Sequence, residues 1–488
     1  MIDADLYARL DGVALAELLH KGEVAPPELM DCAIALGEAV DARFNALCEK
    51  RYDQARAAAA TARLRGRFGA LPFLLKDSGL GATDLPSAVG SRLFEGLVSP
   101  VDATLTTRFR EDGFLPFART TVPEFCMAPT TEAEINGGPT RNPWDPTRSS
   151  GGSSGGAAVA VATGVVPIAH GSDGGGSIRI PASCCGVFGL KTSRGLLPVG
   201  PARGEAWGGL AVEGVLSRSV RDTAAVLDHA AGFEPGAPYA APARPASYSA
   251  ELERPFGRPL RIGVWTQAFD GIAVHPDCLA AVDGVARLLE AMGHETVPLA
   301  APPFSFAKFL EASIETMAAS VTLTVNGRLR GMAGARAEDL LEPAILDAYR
   351  LGGTLSAERY ALAINRFHTI ARAMDGYVGQ VDFVLTPTLT RPPVPLGEIS
   401  MQNDFLSFRR AIGSYTTFLA IINASGQPAA SLPMGESAGG LPVGVQLIGR
   451  FGADADVLRL AHHLEIAAPW AQRRPPTAGA DSNATRGK

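Results

Sequence analysis

Residues 151–156 read Gly-Gly-Ser-Ser-Gly-Gly and run directly into residues 157–162, Ala-Ala-Val-Ala-Val-Ala. The preceding residues 141–150 are too rich in proline and serine for regular structure, so they predict a loop that leads into the amino end of a buried helix. A second glycine-rich stretch, residues 170–177, reads His-Gly-Ser-Asp-Gly-Gly-Gly-Ser. No bulky side chain screens its backbone N–H groups, so they can converge on one negatively charged atom.

Short apolar segments alternate with amphipathic ones on either side of these loops. Residues 71–75 predict a buried strand that ends at Lys76 and Asp77, and strand ends are where chemistry tends to lie in α/β proteins. Further strands are predicted at residues 258–266, 381–386 and 444–449. Helices are predicted within residues 11–65 and at 276–292, 306–325, 355–376 and 455–467. This alternation predicts an α/β fold.

Charge and hydropathy narrow the classes of partner. The 488 residues carry a net charge of −6, from 44 basic and 50 acidic side chains, without a run of like charges. No nucleic-acid partner is therefore expected. The longest apolar stretch, residues 156–169, is too short to span a bilayer and is interpreted as a buried helix, so no membrane partner is expected. Residues 1–11 do not resemble a secretory signal, and a cytoplasmic location is expected.

The cysteines and histidines form no pattern typical of a metal site. Cys-x-x-Cys, His-Glu-x-x-His and His-x-x-x-His are all absent from the sequence, so no metal is expected. Adjacent Cys184 and Cys185 are predicted to lie in a buried turn, and the six thiols are expected to be free and mostly buried.

One serine motif points to a hydrolase of the Ser-His-acid class. Residues 152–156 match Gly-x-Ser-x-Gly, with Ser154 in the place of the nucleophile. That mechanism needs a histidine base, and no histidine fits well: His170 lies only seven residues before Ser177, and residues 462–463 belong to an amphipathic helix. Nucleotide-binding glycine motifs are absent as well. Serine chemistry without histidine is the alternative.

Three segments resemble the amidase signature family, in that family's order: residues 71–77, 151–156 and 171–182. The resemblance implies one large α/β domain over residues 1–470, with a central twisted mixed sheet surrounded by helices. It implies a catalytic core at about residues 70–220, and we expect a cap over the substrate pocket at about residues 300–380. Residues 471–488 are expected to form a flexible tail.

The family's Ser-cisSer-Lys triad carries over to Lys76, Ser153 and Ser177, whose two serines have the family's spacing of 24 residues. The resemblance implies Ser177 as nucleophile, Ser153, held by a cis peptide bond in the family, as proton relay, and neutral Lys76 as base. Burial behind residues 73–75 can lower the lysine pKa. Asp77 is expected to turn away from Lys76, because neighbours on a strand face opposite sides.

Other residues are predicted to support the triad. The oxyanion hole is predicted from the backbone N–H groups of Gly174, Gly175, Gly176 and Ser177. Asp173 and Arg179 are predicted to clamp this loop as an ion pair, with Ser154 in a supporting role. Cys126 and Met127 follow a segment that passes near the active site in the family, so they either line the pocket or pack in the core.

The resemblance implies hydrolysis of a carboxamide C–N bond through an acyl-enzyme, without metal or organic cofactor and with esterase side activity. Residues 140–144 and 168–173 most resemble the branch of 6-aminohexanoate cyclic-dimer hydrolases and other bacterial amidases of small or synthetic amides. Small amides, including aryl amides and carbamates (urethanes), are the expected substrates, and a homodimer is a family-level expectation. The alternative is the glutaminase subunit of a tRNA-dependent amidotransferase, although Ile180 stands where that subunit commonly has glutamine.

Overall fold

A computed structural model describes residues 2–476 of the chain. Within this range one sheet contains eleven strands: β1 Leu47–Cys48, β2 Leu71–Lys76, β3 Phe114–Thr120, β4 Ile168–Asp173, β5 Phe188–Lys191, β6 Val212–Ser217, β7 Arg261–Val264, β8 Glu295–Pro298, β9 Phe383–Pro387, β10 Ala429–Glu436 and β11 Pro442–Ile448. Their order is β1-β3-β2-β4-β6-β5-β10-β11-β9-β7-β8. The sheet is mixed, because β2 runs parallel to β3 and β4 whereas β10 runs antiparallel to β5 and β11.

Helices surround the sheet in the same part of the chain. They are α1 Ala4–Arg9, α2 Gly12–His20, α3 Pro26–Phe44, α4 Tyr52–Ala60, α5 Thr104–Glu111, α6 Gly155–Thr163, α7 Arg179–Cys185, α8 Val220–Ala230, α9 Tyr248–Glu251, α10 Pro276–Ala291, α11 Phe306–Leu329, α12 Ala337–Leu340, α13 Pro343–Gly352, α14 Ala357–Val378, α15 Phe405–Tyr415, α16 Ala420–Ser425 and α17 Asp454–Ala467. This architecture confirms the predicted α/β class with a central mixed sheet. The predicted strands and the predicted later helices correspond to β2, β7, β9, β11, α10, α11, α14 and α17.

Two local predictions are wrong. The apolar stretch 156–169 is not one helix: α6 ends at Thr163, and β4 follows four residues after it. Gly164 adopts a left-handed conformation with φ +84°, and Pro167 lacks the N–H that a continuing helix would need. The first residues of the second predicted loop therefore belong to a strand. Cys184 and Cys185 likewise end helix α7 rather than form a turn.

The sheet brings the predicted chemistry to one edge. β2 and β4 are parallel neighbours, with Leu74 opposite Ala169, so their carboxyl ends lie side by side. Lys76 is the last residue of β2 and Asp173 the last of β4. Helix α6 is buried along its whole length and begins where the Gly-Gly-Ser-Ser loop reaches this edge.

The region predicted as a cap, residues 300–380, is largely helical and contains α11 to α14. Aromatic side chains of α11 and α14, such as Phe309 and Phe367, pack with Trp265 in an apolar cluster beside the main core. The domain and cap boundaries stay predictions. Of the predicted tail, residues 477–488 lie outside the described residues.

Two searches over residues 2–476 found nothing. None of the helices there combines the length and the hydropathy that crossing a membrane requires. No three His, Cys, Asp or Glu side chains of this part of the chain are arranged to hold a metal ion.

Candidate active site

Lys76 and Ser153 meet in the interior, although 77 residues separate them in the chain. Lys76 Nζ lies 2.8 Å from Ser153 Oγ, and both residues are fully buried. The same Nζ donates to the hydroxyl of Ser172 at 3.0 Å and to its carbonyl oxygen at 3.2 Å. The structure therefore brings two members of the predicted triad together and adds Ser172, which the sequence interpretation left out of the site.

These three contacts suit a neutral amine. The carbonyl oxygen of Ser172 can only accept a hydrogen bond, and the Ser172 hydroxyl can accept a second. The two N–H groups of a neutral lysine are then used, and its lone pair is left for the Ser153 hydroxyl. Burial lowers the pKa of the Lys76 amino group, which favours this neutral form against the opposing effect of nearby acids.

Asp77 turns away from Lys76, as predicted. Its carboxylate accepts hydrogen bonds from the Ser87 hydroxyl at 2.6 Å and from the Gly90 N–H at 3.0 Å. Successive side chains at the end of a strand face opposite sides, which separates this carboxylate from the lysine amine. The acid beside Lys76 is thus engaged elsewhere.

The loop before α6 places Ser153 beside the second loop. The Gly152–Ser153 peptide bond is cis, as the resemblance implies. A Cβ on Gly152 would overlap the carbonyl oxygen of Thr130, so only glycine fits there. Ser154 donates its N–H to the carbonyl oxygen of Ser177 at 3.1 Å, which ties the two loops together.

Ser177 lies between β4 and α7 with 8% of its surface exposed. Its hydroxyl makes no hydrogen bond to any described residue, so this oxygen is free to face a substrate. Among the predicted oxyanion donors, the Gly176 N–H already donates to Asp173 Oδ1 at 2.7 Å. That bond removes Gly176 from the predicted set. The N–H groups of Gly174, Gly175 and Ser177 donate to no atom in the part of the chain that the structure describes.

Asp173 and Arg179 form the predicted ion pair. Arg179 donates from Nε and from a terminal nitrogen to the two oxygens of Asp173, both at 2.9 Å, and neither side chain is exposed. Burial alone would raise the pKa of Asp173, but the charge of Arg179 holds it well below its usual range. Asn423 and Gln446 bind the same guanidinium at 2.6 Å each. These two amides were not found from the sequence, because they lie more than 240 residues away from the loop.

His170 and Glu213 form a second buried pair beneath the lysine. The backbone N–H of Lys76 donates to His170 Nδ1 at 3.2 Å, so the ring hydrogen lies on Nε2, which faces Glu213 at 3.0 Å. Burial lowers the pKa of His170, in agreement with a neutral ring. The one sequence signal for this pair was a carboxylate inside the apolar strand β6. Both ring nitrogens are engaged, and Ser154 Oγ instead contacts the Ser172 carbonyl oxygen at 3.4 Å, so Ser154 has no histidine base here.

Two connected cavities meet at Ser177. The first, which we call the cleft, encloses about 1810 Å³, partly open to solvent, and is lined by Ser153, Ser172 and Gly174 among others. The second, the inner lobe, encloses about 530 Å³ between α11 and α15 and includes Gly175. Ser177, Cys126 and Trp207 line both. Cys126 therefore lies at the junction, and Met127 lines the inner lobe, although Met127 is also buried in the core.

A family model described as Amidase matches residues 28–458. That range covers most of the chain. The chain belongs to the amidase signature family. It is thus a member of a family of hydrolases that act on C–N bonds.

Individual amidases resemble the chain along nearly its full length. The 6-aminohexanoate-cyclic-dimer hydrolase of Paenarthrobacter ureafaciens is 35% identical over 97% of this chain and 98% of its own. A solved structure of 6-aminohexanoate cyclic dimer hydrolase complexed with substrate has a TM-score of 0.89 at 32% identity, covering 96% of this chain and 99% of that one. A bacterial aryl acylamidase has a TM-score of 0.85 at 27% identity, covering 95% and 97%. A glutamyl-tRNA(Gln) amidotransferase subunit of Thermotoga maritima has 0.76 at 27%, covering 98% and 100%.

Proposed function

We propose that this amidase hydrolyses a small carboxamide through an acyl-enzyme on Ser177. The observation that carries the proposal is the buried contact between Lys76 Nζ and Ser153 Oγ, 2.8 Å apart, beside the accessible hydroxyl of Ser177. A neutral amine next to a hydroxyl can accept its proton, and that hydroxyl can in turn accept the proton of a neighbouring serine.

Acylation uses this chain of hydroxyls. Ser177 Oγ attacks the carbonyl carbon, its proton passes to Ser153 Oγ, and the Ser153 proton passes to Lys76 Nζ. The carbonyl oxygen becomes an oxyanion, which the free N–H groups of Gly174, Gly175 and Ser177 can stabilise. The C–N bond then breaks while the proton returns through Ser153 to the leaving nitrogen. The amine departs, and the acyl group stays on Ser177 as an ester.

Deacylation repeats the relay with water. A water molecule attacks the ester carbonyl, loses a proton through Ser153 to Lys76, and the tetrahedral intermediate collapses. Ser177 Oγ recovers its proton and the carboxylic acid is released. Every step uses side chains and backbone groups of this chain alone, and an ester substrate passes through the same acyl-enzyme, so esterase side activity follows from the mechanism.

The substrate class we favour is a small linear or cyclic amide, an aryl amide or a carbamate. The similarity to 6-aminohexanoate-cyclic-dimer hydrolase and to a bacterial aryl acylamidase supports it. The glutaminase alternative is less well supported, because glutamine carries an ammonium group. Among the described residues, no Asp or Glu lines the inner lobe to balance that charge.

The test is covalent labelling followed by a substrate panel. Wild-type protein, Ser177→Ala and Lys76→Ala are treated with a serine-directed fluorophosphonate, and the adduct is located by intact mass and peptide mapping. We expect one adduct on Ser177 in the wild type, slower labelling in Lys76→Ala and none in Ser177→Ala. An adduct on Ser154 that forms equally fast without Lys76 contradicts the proposal. Release of aniline from anilides and of amine from carbamates then ranks the substrates.

A further inference from the structure

The inner lobe contains a buried cation that the proposed mechanism does not use. Arg409 of α15 lines the lobe and is only 6% exposed. The rest of the lining is largely apolar and includes Phe309, Met317 and Ile412. Polar lining residues other than Arg409 carry hydroxyls, such as Ser313, and bring no charge.

Arg409 has no acidic partner among the described residues. Its one hydrogen bond runs from a terminal nitrogen to Ser313 Oγ, at a long 3.4 Å. The Nε of Arg409 is buried and has no hydrogen-bond partner. Burial lowers its pKa to about 10, with no carboxylate nearby to oppose the shift. A guanidinium remains charged at neutral pH even so, and an unpaired buried charge is costly unless a ligand balances it.

The position of Ser153 tells which part of a substrate enters the lobe. The leaving nitrogen must receive its proton from Ser153, and Ser153 lines the cleft but not the inner lobe. The leaving group therefore occupies the cleft, which is open for its departure. The acyl group, which stays on Ser177, extends into the inner lobe towards Arg409.

We propose that the inner lobe is an acyl pocket for a chain that ends in a carboxylate, bound by Arg409. The substrates are then monoamides of dicarboxylic acids, with an apolar methylene chain along the lobe and a carboxylate that pairs with the guanidinium. This inference rests on the proposed function. It does not extend to an ammonium group, because the lobe would then hold two cations.

The test compares matched pairs of 4-nitroanilides on the wild-type enzyme. Glutaryl and adipoyl anilides are compared with 5-methylhexanoyl and 6-methylheptanoyl anilides, in which an isopropyl group replaces the carboxylate. We expect kcat/KM to favour the carboxylate of at least one pair by about tenfold to a hundredfold, mainly through KM. Arg409→Met should abolish that preference. Arg410→Met, the same substitution on the exposed side of α15, should retain it.

The outcomes separate this inference from the function beneath it. Equal or faster cleavage of the isopropyl anilides by the wild type overturns the carboxylate pocket while the amidase function stands. This ratio needs no variant, so a misfolded Arg409→Met protein does not affect it. A preference that survives in Arg409→Met also overturns it. If no anilide is cleaved, labelling of Ser177 decides: a labelled serine rejects the carboxylate pocket alone, and an unlabelled one rejects the proposed function too.

Discussion

Ser172 donates nothing to Lys76 but receives from it twice, once at its carbonyl oxygen and once at its hydroxyl, 3.2 and 3.0 Å from Nζ. Ser172 thereby orients the amine so that its third position faces Ser153. A strand residue thus fixes the direction in which the lysine can take up a proton. The site's reactivity depends on this orientation as much as on the lowered pKa.

The first prediction concerns pH and Lys76. The base must be neutral, so kcat/KM should rise with pH through the Lys76 pKa, and burial shifts that limb below the usual value of about 10.4. Ser172→Ala removes an acceptor that stabilises the ammonium form, so it should move the limb to lower pH and reduce the plateau by about tenfold to a hundredfold. Initial rates on a neutral anilide over about pH 5 to pH 10 measure both effects. A limb that stays in place in Ser172→Ala would falsify the orientation argument.

The second prediction concerns the clamp. Arg179→Met leaves the buried carboxylate of Asp173 without its partner, and breaking such a pair costs about 3–5 kcal/mol. Urea denaturation should show that loss in the free energy of unfolding. Arg56→Met serves as control, because its ion pair with Asp31 is exposed and is worth about 1 kcal/mol or less. Similar losses for the two variants would show that the clamp is not a structural centre of the loop.

The third prediction concerns the oxyanion loop. A Cβ on Gly174 would meet the Trp207 ring at 2.5 Å, whereas a Cβ on Gly175 would meet only Ala420, at 3.6 Å. Gly174→Ala should therefore displace the loop or the ring and lower kcat by about a hundredfold, while Gly175→Ala loses less. Steady-state kinetics at matched folded fractions compare the two. Equal losses would mean that the contact with Trp207 does not position the loop.

The fourth prediction concerns a buried pair of acids outside the triad. Burial raises the pKa of Glu124 to about 8 and that of Glu342 to about 7, and each is raised further by a neighbouring acid. The folded state then binds more protons than the unfolded state, so stability should fall as pH rises from about 4.5 to about 8. Thermal melts should show this fall, and Glu342→Gln should flatten it. Exposed Glu358→Gln should leave the slope as it is; a flattened slope there would assign the effect to net charge.

The sequence determined the class of fold and the chemical candidates. Local patterns were enough for this, because strand, loop and helix signals around residues 71–77 and 151–156 depend on neighbouring residues only. The ion pair of Asp173 with Arg179, six residues apart, was within reach of the same local reasoning. The end of α6 was misjudged because an apolar run does not distinguish a buried helix from a helix followed by a buried strand.

Only the tertiary structure decided which distant groups share the site. Packing of β4 against β2 brings Ser172 to Lys76, and the Asp173 carboxylate takes up the Gly176 N–H that the sequence had assigned to the oxyanion hole. Arg409 joins the inner lobe from a helix more than 200 residues after Ser177. Side-chain burial and hydrogen-bond partners are set by contacts between segments far apart in the chain, and no local pattern encodes them.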